Sequence, residues 1–316
     1  MKKTFDVFGV GDLIVDIIAH ITDEELSRLN LGKGVKEIIN LERREHIFNN
    51  LHSEQPSFTV NGYTLTAFKA LSHMGLKPHL STKIGMDALG VIINKELKKT
   101  RMSIDFDIGH GSTDSRFTLH SLDNTMTRYV HQGMNKSITY KDLDSVKIKQ
   151  SHILFVDSSL LTTQNRIRIS KFIMRIAKES DCKIVFDLHN SAVIEDNKET
   201  ITECIKNSDV VISSLDSGYF LYGDTKAYNL LGKLGSNNQT AIVKDRDGFK
   251  IKDKDRFFSV SKLKNKSQYF HEYFAAGILF GLRQSYNMQQ SGVIGSYLAS
   301  KDKITDSILD ELHQVF

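Results

Sequence analysis

Cysteine and proline are both scarce in this chain, which has two of each among 316 residues. The two cysteines, Cys182 and Cys204, cannot build a disulfide framework, and two cysteines suit a reducing compartment. Neither lies in a Cys-x-x-Cys pair or beside a spaced pair of histidines, which argues against a zinc site. With so little proline, the sequence has no Pro-rich linker, and it shows neither a repeat nor a low-complexity segment.

Long apolar runs and basic tracts are absent as well. No stretch approaches the ~20 apolar residues that cross a bilayer. Asp6, Asp12 and Asp16 interrupt the apolar N-terminal segment, so it is a poor signal peptide. The net charge of +4 is spread along the chain, which gives no indication of nucleic-acid binding. We therefore expect a cytoplasmic protein that binds neither membranes nor nucleic acid.

Alternating strands and helices make up most of the chain. Apolar strand patterns at 153–156, 184–187 and 210–213 each precede a helical pattern. Such alternation predicts an α/β fold, a mostly parallel sheet with helices on both faces. In sheets of this kind, ligands bind at the carboxyl ends of the strands.

Two-residue periodicity appears in 14–40 and again in 104–132. This pattern predicts a small β-sheet with one wet face, placed as a lid over the ligand edge. The predicted large domain comprises 1–13, 52–103 and 134–316. The predicted lid comprises 14–51 and 104–133.

Four segments, in order along the chain, carry a family resemblance: GVGDLIVD (9–16), NGYTLTAFKALSHMG (61–75), KIGMDALG (83–90) and FAAGILFGL (274–282). Together they resemble the ribokinase/PfkB family of sugar and nucleoside kinases, and within it the bacterial adenosine-kinase-like branch. The resemblance implies a ribokinase-like fold, a sugar or nucleoside ligand under the lid, and phosphoryl transfer from ATP with Mg²⁺ if the protein is active.

The substrate side of the family pattern is partly kept. Asp16 occupies the position of the family's aspartate that holds sugar hydroxyls, and Gly62 keeps one glycine of a Gly-Gly pair. The other three positions differ: Asn61 replaces a glycine, Thr66 an asparagine and Asp12 an asparagine. The resemblance therefore implies a substrate site at these five residues. Gly85 and Asp87 are interpreted as a turn and the N-cap of the following helix.

The nucleotide side is mostly replaced. The family's Asn-x-x-Glu, which helps to place magnesium, falls on Ser214 and Ser217. Its Thr-x-Gly-x-x-Gly turn runs from Val243 to Gly248, where only the last glycine matches and Asp245 adds negative charge. No residue of this chain is carried over as a metal ligand.

The catalytic Gly-Ala-Gly-Asp falls on Tyr269, Phe270, His271 and Glu272. In the family its glycines form an anion hole and its aspartate is the base. Side chains at 269 and 271 obstruct close approach of a phosphate. The Glu272 carboxylate is displaced by about 1 Å relative to an aspartate, and such errors cost about 10²-fold in rate. Loss of an anion-hole donor costs about 10²–10³-fold more.

These substitutions favour an impaired or inactive kinase relative that keeps a pocket for a sugar or an adenosine-type nucleoside. A first alternative is an active ATP-dependent kinase, with Glu272 as base and His271 as a phosphate contact. A second is a non-catalytic scaffold with a collapsed pocket. No cofactor is assigned; ATP and Mg²⁺ follow only from the active alternative.

Overall fold

The computed structural model describes residues 2–52, 56–236, 239–264 and 267–315. The strands are β1 (Phe5–Val10), β2 (Ile14–Ile21), β3 (Lys36–Ile39), β4 (Ser57–Asn61), β5 (Pro78–Gly85), β6 (Ser103–Gly109), β7 (Ser115–Ser121), β8 (Met126–His131), β9 (Ser151–Asp157), β10 (Lys183–Leu188), β11 (Val210–Ser214), β12 (Thr240–Lys244), β13 (Gly248–Asp253) and β14 (Arg256–Ser261). The helices are α1 (Asp23–Arg28), α2 (Leu41–Asn50), α3 (Tyr63–His73), α4 (Ala88–Leu97), α5 (Ser145–Lys149), α6 (Gln164–Glu179), α7 (Ile194–Lys206), α8 (Leu215–Tyr222), α9 (Ala227–Leu234), α10 (Phe270–Arg283), α11 (Met288–Ala299) and α12 (Ile308–Val315).

The large sheet has nine strands in the order β14-β13-β12-β11-β10-β9-β1-β5-β6. From β12 to β6 all neighbours are parallel, while β13 and β14 form an antiparallel hairpin at one edge. Alternate residues along a strand pack into hydrophobic clusters on opposite faces of the sheet. Val7 and Phe155 pack with α3 and α10, whereas Phe8 and Leu154 pack with α6 and α7. The predicted parallel sheet covered by helices on both faces is therefore confirmed.

The small sheet has five strands in the order β3-β8-β7-β2-β4. Its odd-numbered β2 residues, such as Val15 and Ile17, are buried in the same cluster as Leu26 of α1 and Ile47 of α2. The even-numbered residues face the other way, toward the large sheet's carboxyl edge. The predicted small lid sheet is therefore present, with one face packed on helices.

Two strands, β6 and β4, belong to a different sheet from the one that the sequence pattern predicted. β6 falls within 104–133, but it pairs in parallel with β5 of the large sheet from His79↔Ser103 to Gly85↔Gly109. The intervening α4 makes β5–α4–β6 a crossover unit, which requires parallel strands.

The second correction concerns β4, which falls within the predicted large-domain segment 52–103. It pairs antiparallel with β2, from Ile14↔Asn61 to Ile18↔Ser57, and so completes the small sheet. Residues 53–55 of that predicted segment lie outside the described residues.

The N-cap that the sequence predicted at Asp87 is present, and other helix ends carry similar local signals. The Thr22 side chain accepts from the Glu25 N–H at the start of α1, and Asp87 accepts from the Gly90 N–H at the start of α4. Gly75, at φ +79°, follows the end of α3. None of the helices over the described ranges combines the length and the apolar character that crossing a lipid bilayer requires.

Candidate functional site

Charged and hydroxyl side chains collect at the carboxyl edge of the large sheet. Asp12 follows β1, Asp157 ends β9, Asp187 lies near the end of β10, Ser214 ends β11 and Lys244 ends β12. Parallel strands bring these ends together, and this edge is where ligands bind in open α/β sheets.

A cavity of about 740 Å³ lies between this edge and the small sheet. A volume of this size suits a small molecule such as a sugar or nucleoside. The cavity brings together seven residues that the sequence analysis named: Asp12, Asp16, Asn61, Gly62, Thr66, Tyr269 and Glu272. The residues named for the nucleotide side, and His271, are not among the described residues that line it.

Asp16 is held by two partners inside this cavity. Register places it opposite Arg116 of β7, whose guanidinium binds the carboxylate through two nitrogens. The Asn61 amide donates to the same carboxylate at 2.6 Å, and the Tyr269 hydroxyl donates to the Asn61 oxygen at 3.3 Å. Asp16 is buried, so these partners offset the cost of desolvating its charge.

Asp12 and Gly62 occupy the floor of the cavity. The buried Arg166 guanidinium of α6 pairs with the Asp12 carboxylate. Burial raises the pKa of Asp12, and the Arg166 charge opposes that rise. Gly62 must be a glycine here because a Cβ would lie 2.1 Å from the Asp12 carbonyl oxygen.

A buried polar network lies behind the cavity. The Tyr63 hydroxyl, at the first residue of α3, donates to Asp187 at 2.6 Å, and the Lys244 ammonium lies 3.4 Å from the other Asp187 oxygen. The Tyr63 ring stacks on His189 with centroids 3.7 Å apart. Burial lowers the pKa of His189. Thr64 donates to Asp157 at 2.6 Å.

The start of α10 is crowded by side chains. The Phe270 ring is buried and stacks on Phe249 with centroids 5.7 Å apart. The Tyr63 hydroxyl lies 3.3 Å from the carbonyl oxygen of His271, so a phenol ring faces the first turn of this helix. Burial raises the pKa of Glu272, and the neighbouring Asp187 and Asp157 carboxylates raise it further, against the Lys244 charge.

The residues named for the nucleotide side have structural partners. Ser214 caps α8 by accepting from the Ser217 N–H at 3.1 Å and donates to the Ser217 hydroxyl at 3.0 Å. The Val243 side chain is packed in a hydrophobic cluster. The Asp245 N–H donates to the Gly248 carbonyl at 2.7 Å within the β12–β13 turn, and a Cβ on Gly248 would lie 2.1 Å from the Val260 carbonyl oxygen.

This donor set does not fit the magnesium that the family pattern implies. Mg²⁺ prefers carboxylate oxygens, and the two positions of the Asn-x-x-Glu motif offer only hydroxyls that are bonded to each other. Over the described ranges, no three His, Cys, Asp or Glu side chains are grouped so as to hold a metal ion. We therefore derive no step through a metal.

Several residues of the site were not predicted from the sequence. Arg116 and Arg166 were missed because a single arginine on a strand or a helix gives no signal by itself. Asp157 and Asp187 had a usable signal: each is a lone carboxylate at the end of an apolar strand, the location where ligands bind. Lys244 has the same signal at the end of β12.

The comparison with protein families matches residues 36–267 to the pfkB family carbohydrate kinase model. No match was found among curated proteins. One solved structure with a similar fold is adenosine kinase from Sinorhizobium meliloti, with TM-score 0.81, 18% identity and 99% of each chain covered. A probable sugar kinase from Rhizobium etli gives TM-score 0.83 and 17% identity over 100% of this chain and 99% of that one.

Adenosine kinase from Schistosoma mansoni in complex with 2-fluoroadenosine gives TM-score 0.75 and 16% identity, over 95% of this chain and 96% of that one. At these identities the likeness is one of fold. The family match covers most of the chain, including strands of both sheets, and it agrees with the motifs at 61–75 and 83–90. The chain belongs to the PfkB family of carbohydrate kinases, with the ribokinase-like fold that adenosine kinases share.

Proposed function

We propose that this protein binds a hydroxylated small molecule of the sugar or nucleoside type in the cavity between its sheets, and that it transfers phosphoryl groups from ATP poorly or not at all. The observation that carries the proposal is the position of Tyr63. Its hydroxyl contacts both the Asp187 carboxylate and the His271 carbonyl oxygen at the start of α10. A transferred phosphoryl group at this helix start would need backbone N–H groups that no side chain obstructs.

The cavity supports the binding half of the proposal. It holds Asp16, Asn61 and Asp12 with their hydrogen-bonding partners in place, so polar contacts to hydroxyl groups are pre-formed. The open volume of about 740 Å³ gives no support to a scaffold with a collapsed pocket.

The residues at the carboxyl edge of the large sheet support the second part of the proposal, that phosphoryl transfer is weak or absent. Family members neutralise a spread negative charge during phosphoryl transfer, by glycine N–H groups and a metal. Here the corresponding space contains Tyr63 and the carboxylates of Asp187 and Glu272, with Lys244 already paired to Asp187. The named motif positions Ser214 and Ser217 bond to each other.

An active kinase is the second candidate, and the position of Glu272 is what favours it. Glu272 lines the cavity, and burial raises the pKa of its carboxyl, which is a property of general bases. In this alternative Glu272 takes the proton of a substrate hydroxyl and His271 contacts the phosphate.

Ligand-induced stabilisation tests the binding half. The purified full chain is heated with each of a panel of pentoses, hexoses, nucleosides and their acidic derivatives. A compound at 100 times its Kd stabilises the fold by about 2.7 kcal/mol. We expect at least one compound to raise Tm, and Asp16→Asn to lose at least tenfold in affinity. Asp216→Asn, an exposed carboxylate outside the cavity, is the control. A panel with no hit would support the scaffold alternative.

A further inference from the structure

The cavity ligand can be specified further, on the basis of the proposed binding function. We propose that this ligand carries an anionic group, a carboxylate or a phosphate, and that Arg128 of the small sheet receives it. The inference rests on which charges in the cavity have partners and which do not.

The face of the small sheet that lines the cavity carries two arginines and one carboxylate. Asp16, Arg116, Thr118 and Arg128 all line the cavity, as alternation along β2, β7 and β8 requires. Register places Asp16 opposite Arg116, and Thr118 opposite Arg128. Arg116 and Arg128 are therefore diagonal neighbours on two paired strands, about 7–8 Å apart at the backbone.

Arg128 differs from the other arginines of the cavity because it has no carboxylate partner among the described residues. Arg116 pairs with Asp16, and Arg166 pairs with Asp12. The Arg128 guanidinium makes no hydrogen bond or ion pair with any residue that the structure describes, and its Nε is buried without an acceptor. A guanidinium that lines the cavity and has no carboxylate partner there leaves its charge for an anionic group of the ligand to neutralise.

Arg166 is the second arginine of the cavity that already has a carboxylate partner. Its side chain is 6% exposed, and its Nε is also buried without an acceptor, although its terminal nitrogens bind Asp12 and Thr162. Five buried side-chain atoms lack partners in the described part of the chain, and three of them are the Nε atoms of Arg44, Arg128 and Arg166. Guanidinium groups match the paired oxygens of carboxylates and phosphates.

The other carboxylates of the cavity leave Arg128 unpaired. Asp114 accepts from the Asn135 N–H at 3.1 Å. Glu272 lies in the first turn of α10. Among the described residues, the ion pairs of the cavity are those of Asp12 and Asp16, so neither Asp114 nor Glu272 is paired with Arg128. A neutral sugar or nucleoside would leave the Arg128 charge without a partner, whereas an acidic one would neutralise it.

Matched ligand pairs test this inference on the full chain. Calorimetric titration compares ribose with ribose 5-phosphate, glucose with glucuronate, and adenosine with adenosine monophosphate, and it includes inorganic phosphate alone. We expect the acidic member of at least one pair to bind at least tenfold more tightly, with an affinity that falls as salt rises. The pairs also separate a carboxylate ligand from a phosphate ligand.

Three variants assign the effect to Arg128. Arg128→Gln is expected to remove the preference for the acidic member, and Arg128→Lys to keep part of it. Arg175→Gln, at an exposed position of α6 outside the cavity, is expected to keep all of it, and Tm values check that each variant is folded. Neutral ligands that bind as tightly as their acidic partners, or an acidic preference unchanged in Arg128→Gln, would overturn the inference while the proposed binding function stands. A panel in which nothing binds would overturn both.

Discussion

Lys244 and Asp187 form a buried ion pair, with 3.4 Å between the ammonium nitrogen and a carboxylate oxygen. The two side chains are 4% and 0% exposed, and they come from the ends of β12 and β10. Tyr63 is the second partner of Asp187. This pair lies at the carboxyl edge of the large sheet, and each charge neutralises the other.

Replacement of the lysine tests whether this pair is a fixed part of the fold. Lys244→Met leaves the Asp187 charge buried with only Tyr63 as partner, which should lower the free energy of unfolding by about 3–5 kcal/mol. The double variant Lys244→Met/Asp187→Asn should recover part of that loss. Urea denaturation measures both.

The matched control for this prediction is the surface pair of Lys171 and Glu203, 2.6 Å apart, whose side chains are 47% and 50% exposed. Lys171→Met should cost about 0–1 kcal/mol. If Lys244→Met costs no more than Lys171→Met, the buried pair does not stabilise the fold as we infer.

Gly62 allows the start of α3 to pack closely against the loop that follows β1. In Gly62→Ala the new Cβ would lie 2.1 Å from the Asp12 carbonyl oxygen, so the backbone must move. We expect a loss of about 1–3 kcal/mol in the free energy of unfolding and weaker ligand binding in the cavity. Gly232→Ala in α9 has open space at its Cβ and should gain about 0.5–1 kcal/mol. Equal stabilities of the two variants would contradict this interpretation.

Asp114 should make stability depend on pH. Burial raises the pKa of its carboxyl to about 7, from an ordinary value of 3.8. The folded state therefore binds a proton that the unfolded state releases, and stability falls as the pH rises from about 4 to about 7, by at most about 1.4 kcal/mol per pH unit. Above pH 7 this contribution is constant.

Asp114→Asn removes this titration while its side-chain oxygen can still accept from Asn135. Relative to the wild type, the variant should become more stable as the pH rises through that window. Chemical denaturation at half-unit pH steps gives the difference, in which the other titrating groups cancel. A difference that stays constant from pH 4 to pH 8 would show that burial does not raise this pKa.

Much of the fold could be predicted because its signals are local. The strands at 153–156, 184–187 and 210–213 are short apolar runs. Thr22, Asp87 and Gly75 each mark a helix end that lies within a few residues of them. The sheet to which β4 and β6 belong could not be predicted, because alternation shows that one face is wet without identifying the partner strand.

The site was harder to predict, because the partners of its residues lie far away in the sequence. Asp16 could be named from its own segment, but its partner Arg116 lies 100 residues away, and the partner of Asp12, Arg166, lies 154 residues away. Tyr63 could not be assigned either, because an aromatic residue at a helix start resembles a core residue until Asp187 is placed beside it.

Phosphoryl transfer under single-turnover conditions tests the central claim most directly. Enzyme in excess is incubated for hours with γ-labelled ATP, Mg²⁺ and each acceptor that the stabilisation screen identifies, and labelled acceptor is counted for the wild type and for Glu272→Gln. We predict that both proteins leave the acceptor largely unlabelled over this time. Stoichiometric labelling by the wild type that disappears in Glu272→Gln would contradict the account and establish Glu272 as a working base.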